Sequence, residues 1–492
     1  MATFNLVRNS RVFFTTNVAA GTGLVAGSGF TTANTQEIQV MDGFSFSQAS
    51  NADTITISEA GPTPTRGQRS FNTSLNNVEF SFSTYIRPRL STTVKAEEAV
   101  LWNALLANVP LTQAAAFTAT GITTASVSID GAGILTIPGS AMTVSGLTVG
   151  ETYIIKGVTA AGASEYNTAV KILTATATSI TAQYLVRPVS AVAVAGWSTA
   201  VTMVRTAWNE FPAVAADTAG PVTSGTAVAY SSVASALSNR NQLLPFGMII
   251  TIDSVTYVID NCAMDQAVID FGLDGIAMVA WTGKGTELRQ LGTNVTYSAV
   301  ADPVMTGGLT GTATGKITTA NFITNKLSSI QLIKNIGGLG AGNTTYNLAL
   351  TGGSITIANG ITYVTPANLG VVNVPIGYFT GTRAISGSVT AYLRTGSTNS
   401  AGLLSDLLAA SATAAGTEPK FLMQIDIGGT TAGTRVEVEM PGAMLQIPTI
   451  DAQAVMSTTI NFTAQGTDFV HSATANYDLE NANELNIRYL SL

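Results

Sequence analysis

The feature that most constrains this chain is an alternating stretch that occurs twice. Glu79-Phe80-Ser81-Phe82-Ser83-Thr84-Tyr85-Ile86-Arg87-Pro88 returns as Ser386-Gly387-Ser388-Val389-Thr390-Ala391-Tyr392-Leu393-Arg394. Successive side chains of a strand point to opposite faces. Phe80, Phe82 and Ile86 therefore take one side, and Glu79, Ser81, Ser83 and Tyr85 the other. The later copy keeps the pattern, with Val389 and Leu393 on the dry side and Ser386, Ser388, Thr390 and Tyr392 on the wet one. Each stretch predicts a strand with one buried and one polar face. A helix should follow each. Over 95–106, Leu101, Trp102, Leu105 and Leu106 fall at helical spacing, with Glu97 and Glu98 in a first turn whose dipole favours them; 402–408 holds the corresponding place later on.

A second match extends the duplication. Residues 255–285 align with 436–466 at a constant spacing of 181 (436 minus 255, 462 minus 281), which sets Asp270 against Asp451. The opening strands lie 307 apart (392 minus 85), so 126 residues (307 minus 181) have entered the first copy between its helix and its closing strands. Composition places the insertion at about 113–230, where short runs at 126–130, 134–137, 152–156, 171–174 and 179–184 are divided by glycines. Short, evenly spaced strands predict a small sandwich or barrel, and a module inserted after a surface helix is expected to stand outside the main core. The expected fold is mainly β: residues 1–112 with 231–292 form a discontinuous first repeat, 113–230 an inserted β-rich domain, and 293–492 a second repeat.

Composition narrows the function. Charged residues make up 10% of the chain, against about 25% in ordinary soluble domains, and low charge is typical of surface that neighbouring subunits cover. The net charge of −7 supplies no basic groove for nucleic acid. The lone Cys262 excludes an internal disulfide, and its neighbours Asp260, Asn261 and Asp265 would not activate it. A single histidine, His471 in a loop-like stretch, removes most catalytic triads and histidine zinc sites. The run 337–342 is glycine-rich but lacks the ending of a phosphate loop. Scattered carboxylates leave a glycosidase pair open, although 7% aromatics argue against a sugar cleft. No catalytic, cofactor-binding or metal-ligating residue is assigned, and no cofactor is expected. The amino terminus lacks a cationic, then apolar, leader, and the apolar window 189–204 is too short and too broken to span a membrane; a soluble chain made in the cytoplasm is expected.

Two stretches stay open between a plain and a sharper reading. The Pro- and Gly-rich stretch carrying Glu59, Pro62, Pro64, Arg66 and Arg69 is either a solvated loop or an arm reaching a neighbouring subunit. No Lys or Arg stands between Arg240 and Lys284, or between Arg435 and Arg488, while acids accumulate in both segments, among them Asp260, Asp270, Glu437, Glu439 and Asp451. These are either solvated faces or acidic strands presented to a common surface, which would repel a polyanion.

Asn34-Thr35-Gln36-Glu37-Ile38, the stretch from Glu59 to Gly67, Phe80-Ser81-Phe82-Ser83-Thr84-Tyr85-Ile86, Ile361-Thr362-Tyr363-Val364-Thr365-Pro366 and Val374-Pro375-Ile376-Gly377-Tyr378-Phe379-Thr380-Gly381 together resemble the major tail tube protein of long-tailed bacteriophages of the T-five kind. The resemblance covers nearly everything outside the insertion. It implies two fused tail-tube folds, each a β-sandwich or barrel with a flanking helix, and homotrimeric rings that mimic hexamers and stack into a hollow virion tube. DNA would cross the lumen without specific binding, and the other partners would be tail proteins such as the tape measure, tail terminator and tail tip. By position, Glu79, Ser81, Ser83, Asp270, Ser386, Ser388, Thr390 and Asp451 would line the lumen, and Glu59, Pro62, Pro64, Arg66 and Arg69 would reach the adjoining ring. Two departures are expected: 113–230 has no counterpart in the family pattern, and no immunoglobulin-like decoration follows the second repeat. The competing class is a β-rich adhesin or glycan-binding protein whose inserted module holds the ligand.

Overall fold

The computed structural model describes the chain between residues 10 and 290 and between 322 and 490, apart from shorter stretches, of which 56–68, 185–196, 213–221, 228–242, 335–343, 412–419 and 466–483 are the longest. The chain begins with β1 (Ser10–Thr15), β2 (Thr35–Ile38), β3 (Ser45–Ile55), β4 (Arg69–Tyr85) and helix α1 (Ala99–Leu106). After β5 (Leu111–Thr112) come β6 (Ala115–Thr120), β7 (Ser128–Ile129), β8 (Ile134–Pro138), β9 (Thr152–Lys156), β10 (Ala169–Ala175), β11 (Ser179–Tyr184) and β12 (Ala200–Arg205). Then follow β13 (Asn209–Pro212), β14 (Val222–Thr223), β15 (Thr226–Ala227), β16 (Phe246–Ile252), β17 (Val255–Gly272), β18 (Met278–Gly285) and β19 (Glu287–Gln290). The second half holds β20 (Ser329–Lys334), β21 (Thr344–Leu348), β22 (Leu350–Ala358), β23 (Thr362–Val364), β24 (Gly377–Phe379), β25 (Ala384–Tyr392) and helix α2 (Ser400–Ser411). It closes with β26 (Lys420–Gly428), β27 (Arg435–Leu445), β28 (Thr449–Asp451), β29 (Ser457–Gln465) and β30 (Asn486–Leu490).

The two halves repeat one topology. In the first, antiparallel ladders run β2-β1-β16-β17-β18-β4-β3. In the second they run β21-β20-β26-β27-β29-β25-β22. Each half has its helix after the fourth strand of that half's main series. The long β17 serves two layers: its first half pairs with β16 and β19, its second half with β18 and β22. It turns between them near Asn261, whose φ is 44°, and through a bulge between Met264 and Gln266.

Alternation fixes which side chains meet. Phe80, Phe82, Ile269, Trp281, Ile355, Val389 and Ile460 of one layer face Val12, Phe14, Met248, Leu332, Met423 and Val438 of the other, in a single core shared by both halves. Each such side chain stabilises the fold by about 1.5–3 kcal/mol when buried. The helices close the core, α1 with Leu101, Trp102 and Leu105, α2 with Leu403 and Leu407. Trp102 meets Trp281 edge-on at 4.6 Å.

The two glutamates before α1 are placed otherwise than the dipole argument expects. The helix starts at Ala99, so neither lies in its first turn. Glu97 instead pairs with Arg87 at 2.9 Å. Glu98 turns inward: its buried carboxyl group accepts a hydrogen bond from the Tyr489 hydroxyl of β30, which in turn accepts one from Trp102 Nε1 at 2.8 Å. Burial raises the Glu98 carboxyl to about 8.

Strands β6 to β12 form a separate sheet in the order β6-β12-β9-β10-β11-β8-β7, with its own core of Leu135, Ile137, Tyr153, Ile155, Ile172 and Tyr184 among others. On either side of it β5 pairs with β13, and β13 with β30, so the chain leaves and re-enters the larger sheet at neighbouring strands.

One detail of the repeat differs from the gapless spacing of 181. Asp270 pairs with Met278 and Asp451 with Ser457, so seven residues close the first hairpin and five the second. Beyond the turn the spacing is therefore 179 (457 minus 278), and the partner of Trp281 in the other repeat is Ile460 rather than Phe462. The spacing of 307 holds across the next ladder, since Phe82 pairs with Trp281 as Val389 pairs with Ile460. In this register the pair Phe80–Gly283 of the first repeat becomes Gly387–Phe462 in the second. The aromatic ring has changed strands. A Cβ on Gly283 would lie 2.3 Å from Phe80 Cζ, and one on Gly387 2.5 Å from Phe462 Cζ, so in both repeats the ring lies over the glycine opposite.

Candidate functional site: a polar face shared by both repeats

The wet sides of the two duplicated strands belong to one surface. β17 of the first half pairs with β22 of the second, Gln266 opposite Ala358 and Asp270 opposite Ser354. The outward positions, most of them polar, then form rows that cross both halves. One row runs Ser83, Ala280, Val268, Thr356, Ser386, Thr463. The next runs Asp270, Ser354, Ser388, Asn461, and Ser45, Ser81 and Thr282 continue the surface toward β3. Seven of the sequence-assigned residues, Glu79, Ser81, Ser83, Asp270, Ser386, Ser388 and Thr390, stand on this face with some or full exposure. The eighth, Asp451, stands opposite Ser457 in the ladder.

The electrostatics of the face are spare. Its strand segments, 45–48, 78–85, 266–272, 278–285, 350–358, 384–392, 442–445, 449–451 and 457–465, contain one Lys or Arg, Lys284. That ammonium is held 3.0 Å from the Asp265 carboxylate and donates to the Ile361 carbonyl at 2.9 Å. Both lie at the edge of a cavity of about 340 Å³ that Ser45, Ser47, Glu79 and Ser81 also line.

Part of the acidic run lies elsewhere. Asp260 is fully buried, accepting from the Val25 amide at 2.8 Å and pairing with Arg289, whose guanidinium this bond holds above its usual range. Glu437 and Glu439 are buried too. Alternation cannot distinguish these from Asp270, because whether a polar side is wet depends on what covers it.

The junction of the halves carries a side-chain clasp. Asn359 Nδ2 donates to the carbonyls of Leu105 and Met264 at 2.8 and 3.1 Å. The Ile361 amide donates to Asp265 Oδ1 at 2.8 Å, and the Tyr363 hydroxyl to the Asn261 carbonyl at 2.7 Å. Burial raises the Tyr363 hydroxyl well above the ordinary phenol range.

Of the residues assigned to an inter-ring arm, Glu59, Pro62, Pro64 and Arg66 lie outside the described residues, and Arg69 is the first residue of β4, opposite Ile55. The corresponding loop of the second repeat shows what the sequence reading passed over. It runs beside β4, the Leu75 amide donating to the Asn373 carbonyl at 2.8 Å, and it exposes Leu369, Val372, Val374 and Ile376. Their clustering between two short strands was the available signal. Cys262 is buried, its thiol pushed up by desolvation. His471 and 337–342 lie outside the described residues. Among the described residues no group of three His, Cys, Asp or Glu is arranged to hold a metal ion, and no helix is long and apolar enough to cross a membrane.

A duplicated β fold with a flanking helix in each repeat and one shared polar sheet face is the kind of β-rich architecture expected of a tail-tube protein. The chain is similar to tail tube protein pb6 of Escherichia phage T5, with 27% identity over 473 residues that cover 94% of this chain and 73% of that protein. With so little of this chain outside the match, the matched span crosses the inserted stretch. No family model matches the chain.

Proposed function

We propose that the chain is a structural protein of a phage tail tube, assembling as stacked homotrimeric, pseudo-hexameric rings whose inner wall is the shared polar face. The carrying observation is the continuity of that face across both repeats with its one cation neutralised. A wall of Ser, Thr and Asn with scattered carboxylates offers DNA none of the clustered Lys and Arg that grip a phosphate backbone. Glu79, Ser81, Ser83, Asp270, Ser386, Ser388, Thr390 and Asp451 are the lining in this reading. The resemblance to a tail tube protein along 94% of the chain supports it. The chain then resides in the virion tail, meeting tape measure, terminator and tip proteins at the ends of the tube, and acts as conduit rather than enzyme. The inserted sheet, tethered through β5 and β13, decorates the outside, and the long loops reach the next ring.

Electron microscopy of the purified protein under assembly conditions is expected to show hollow tubes of stacked rings. A strictly monomeric particle that binds glycans saturably would overturn the reading in favour of an adhesin.

A further inference from the structure

We propose that the cavity on the polar face of the first repeat binds a small alkylammonium ion, the ammonium pairing with Glu79. The site goes beyond the tube reading: binding belongs to the single chain, and only the site's place on an inner wall rests on that reading.

Two cross-strand rows build the cavity. Ser47, Glu79 and Lys284 lie directly opposite one another across β3, β4 and β18, and Ser45, Ser81 and Thr282 form the next row. Opposite residues of an antiparallel pair have Cβ atoms about 4.5–5.5 Å apart, so both rows border one opening, of about 340 Å³, which Phe46 and Phe80 also line. Asp265 reaches it from β17, where it is the extra residue of the bulge between Met264 and Gln266. A bulge re-aims a side chain, and here the carboxylate meets Lys284 at 3.0 Å.

Charge selects the ligand. Lys284 is satisfied by Asp265 and the Ile361 carbonyl, and Asp265 takes the Ile361 amide on its other oxygen. Glu79 is left over: among the described residues its carboxylate has neither a hydrogen bond nor an ion pair. The cavity therefore holds one uncompensated negative charge, which repels an anion. A metal ion is poorly served, since among the described residues no three His, Cys, Asp or Glu are arranged to hold one. An ammonium can donate charge-assisted hydrogen bonds to Glu79 and to the serine hydroxyls beside it, with its methylenes against the aromatic lining. The volume of about 340 Å³ stands near the lower end of the range of about 300–1,000 Å³ usual for small-molecule sites. In the tube reading the source is at hand, because DNA carries a condensed atmosphere of counter-ions, polyamines among them, past this wall.

The second repeat serves as the internal comparison. There the pair Glu79–Lys284 becomes Ser386–Thr463, and Asp265 becomes Gln446. The acid at Asp270 recurs as Asp451, so a carboxylate that only keeps a polyanion off the wall belongs to both repeats. The charges around the cavity belong to one.

Titration of unassembled protein with putrescine, followed by calorimetry at moderate salt, tests the site. One saturable site per chain is expected, weakened at least about threefold by Glu79→Gln, the scale of an exposed ion pair, and not measurably by Asp270→Asn. The diol of the same length, which carries no charge, should not compete. Equal weakening by the two substitutions, uptake that never saturates, or no binding at all would each overturn the site. None of these outcomes touches the tube, which microscopy of the same protein under assembly conditions decides.

Discussion

The exchange of Phe and Gly between the repeats gives a sharp energetic prediction. Phe80 is 3% exposed, and truncating a buried Phe to Ala costs about 3–5 kcal/mol. Gly283→Ala places its Cβ 2.3 Å from Phe80 Cζ and 2.9 Å from the Ala263 carbonyl. That is an overpacking of about 1–3 kcal/mol, reduced by the about 0.4–1 kcal/mol that Ala gains from a less free unfolded chain. In the double variant the ring is gone and most of the clash with it, so the two costs should fall short of their sum by at least about 1 kcal/mol. The mirror cycle should behave differently. A Cβ on Gly387 lies 2.3 Å from the Ser354 carbonyl oxygen as well as 2.5 Å from the Phe462 ring. Removing that ring leaves a backbone contact that cannot move aside, so Gly387→Ala and Phe462→Ala should be closer to additive. Urea unfolding of unassembled protein, followed by Trp102 and Trp281 fluorescence, measures both cycles. Additivity within about 0.5 kcal/mol for Gly283 and Phe80 would refute the reasoning.

Three further outcomes are expected. The Glu98 carboxyl, raised to about 8 from an ordinary 4.5, stays neutral in the folded chain while the unfolded chain ionises; its contribution is complete below pH 4.5 and is lost as pH rises through 8. The urea midpoint should therefore fall between about pH 5 and pH 8 in a way that Glu98→Gln flattens, and equal slopes for the two proteins would contradict the buried placement. Asp260→Ala should cost about 3 kcal/mol, the low end for a broken buried pair, because Arg289 keeps 32% of its side chain exposed; thermal melting measures it, and a loss under about 1 kcal/mol would count against the pair. Asp270→Lys with Asp451→Lys should leave tubes intact by microscopy but retard DNA ejection from virions that carry them, and unchanged ejection would remove both residues from the lumen wall.

The face was legible in the sequence because alternation is a local signal: Glu79, Ser81 and Ser83 separate from Phe80 and Phe82 without reference to anything distant. The duplication was legible for the same reason. The two-residue slip was not, since matching aromatics to aromatics sets Trp281 on Phe462, whereas packing keeps one ring in the pairs Phe80–Gly283 and Gly387–Phe462 and is indifferent to which strand supplies it. β6, rich in Ala and Thr, carries little alternation and is defined by its pairing with β12. The inward turn of Glu98 depends on Tyr489, 391 residues away, and no local pattern announces such a partner. The acids split likewise, Asp270 outside and Asp260 inside, according to what covers each.

The junction between β17 and β22 bears on how such a ring would form. Because the two repeats are one chain, their joint closes at the high effective concentration that a tether imposes, and the Asp265–Lys284 pair with Asn359 fastens it. In the second repeat the counterparts of Asp265 and Lys284 are Gln446 and Thr463, which carry no charge. In a trimer built as proposed, every second seam is therefore completed at folding and fastened by that pair, while the second repeat brings no matching ion pair to the seams between chains. In such a ring, half of the seams are made before any subunit meets another.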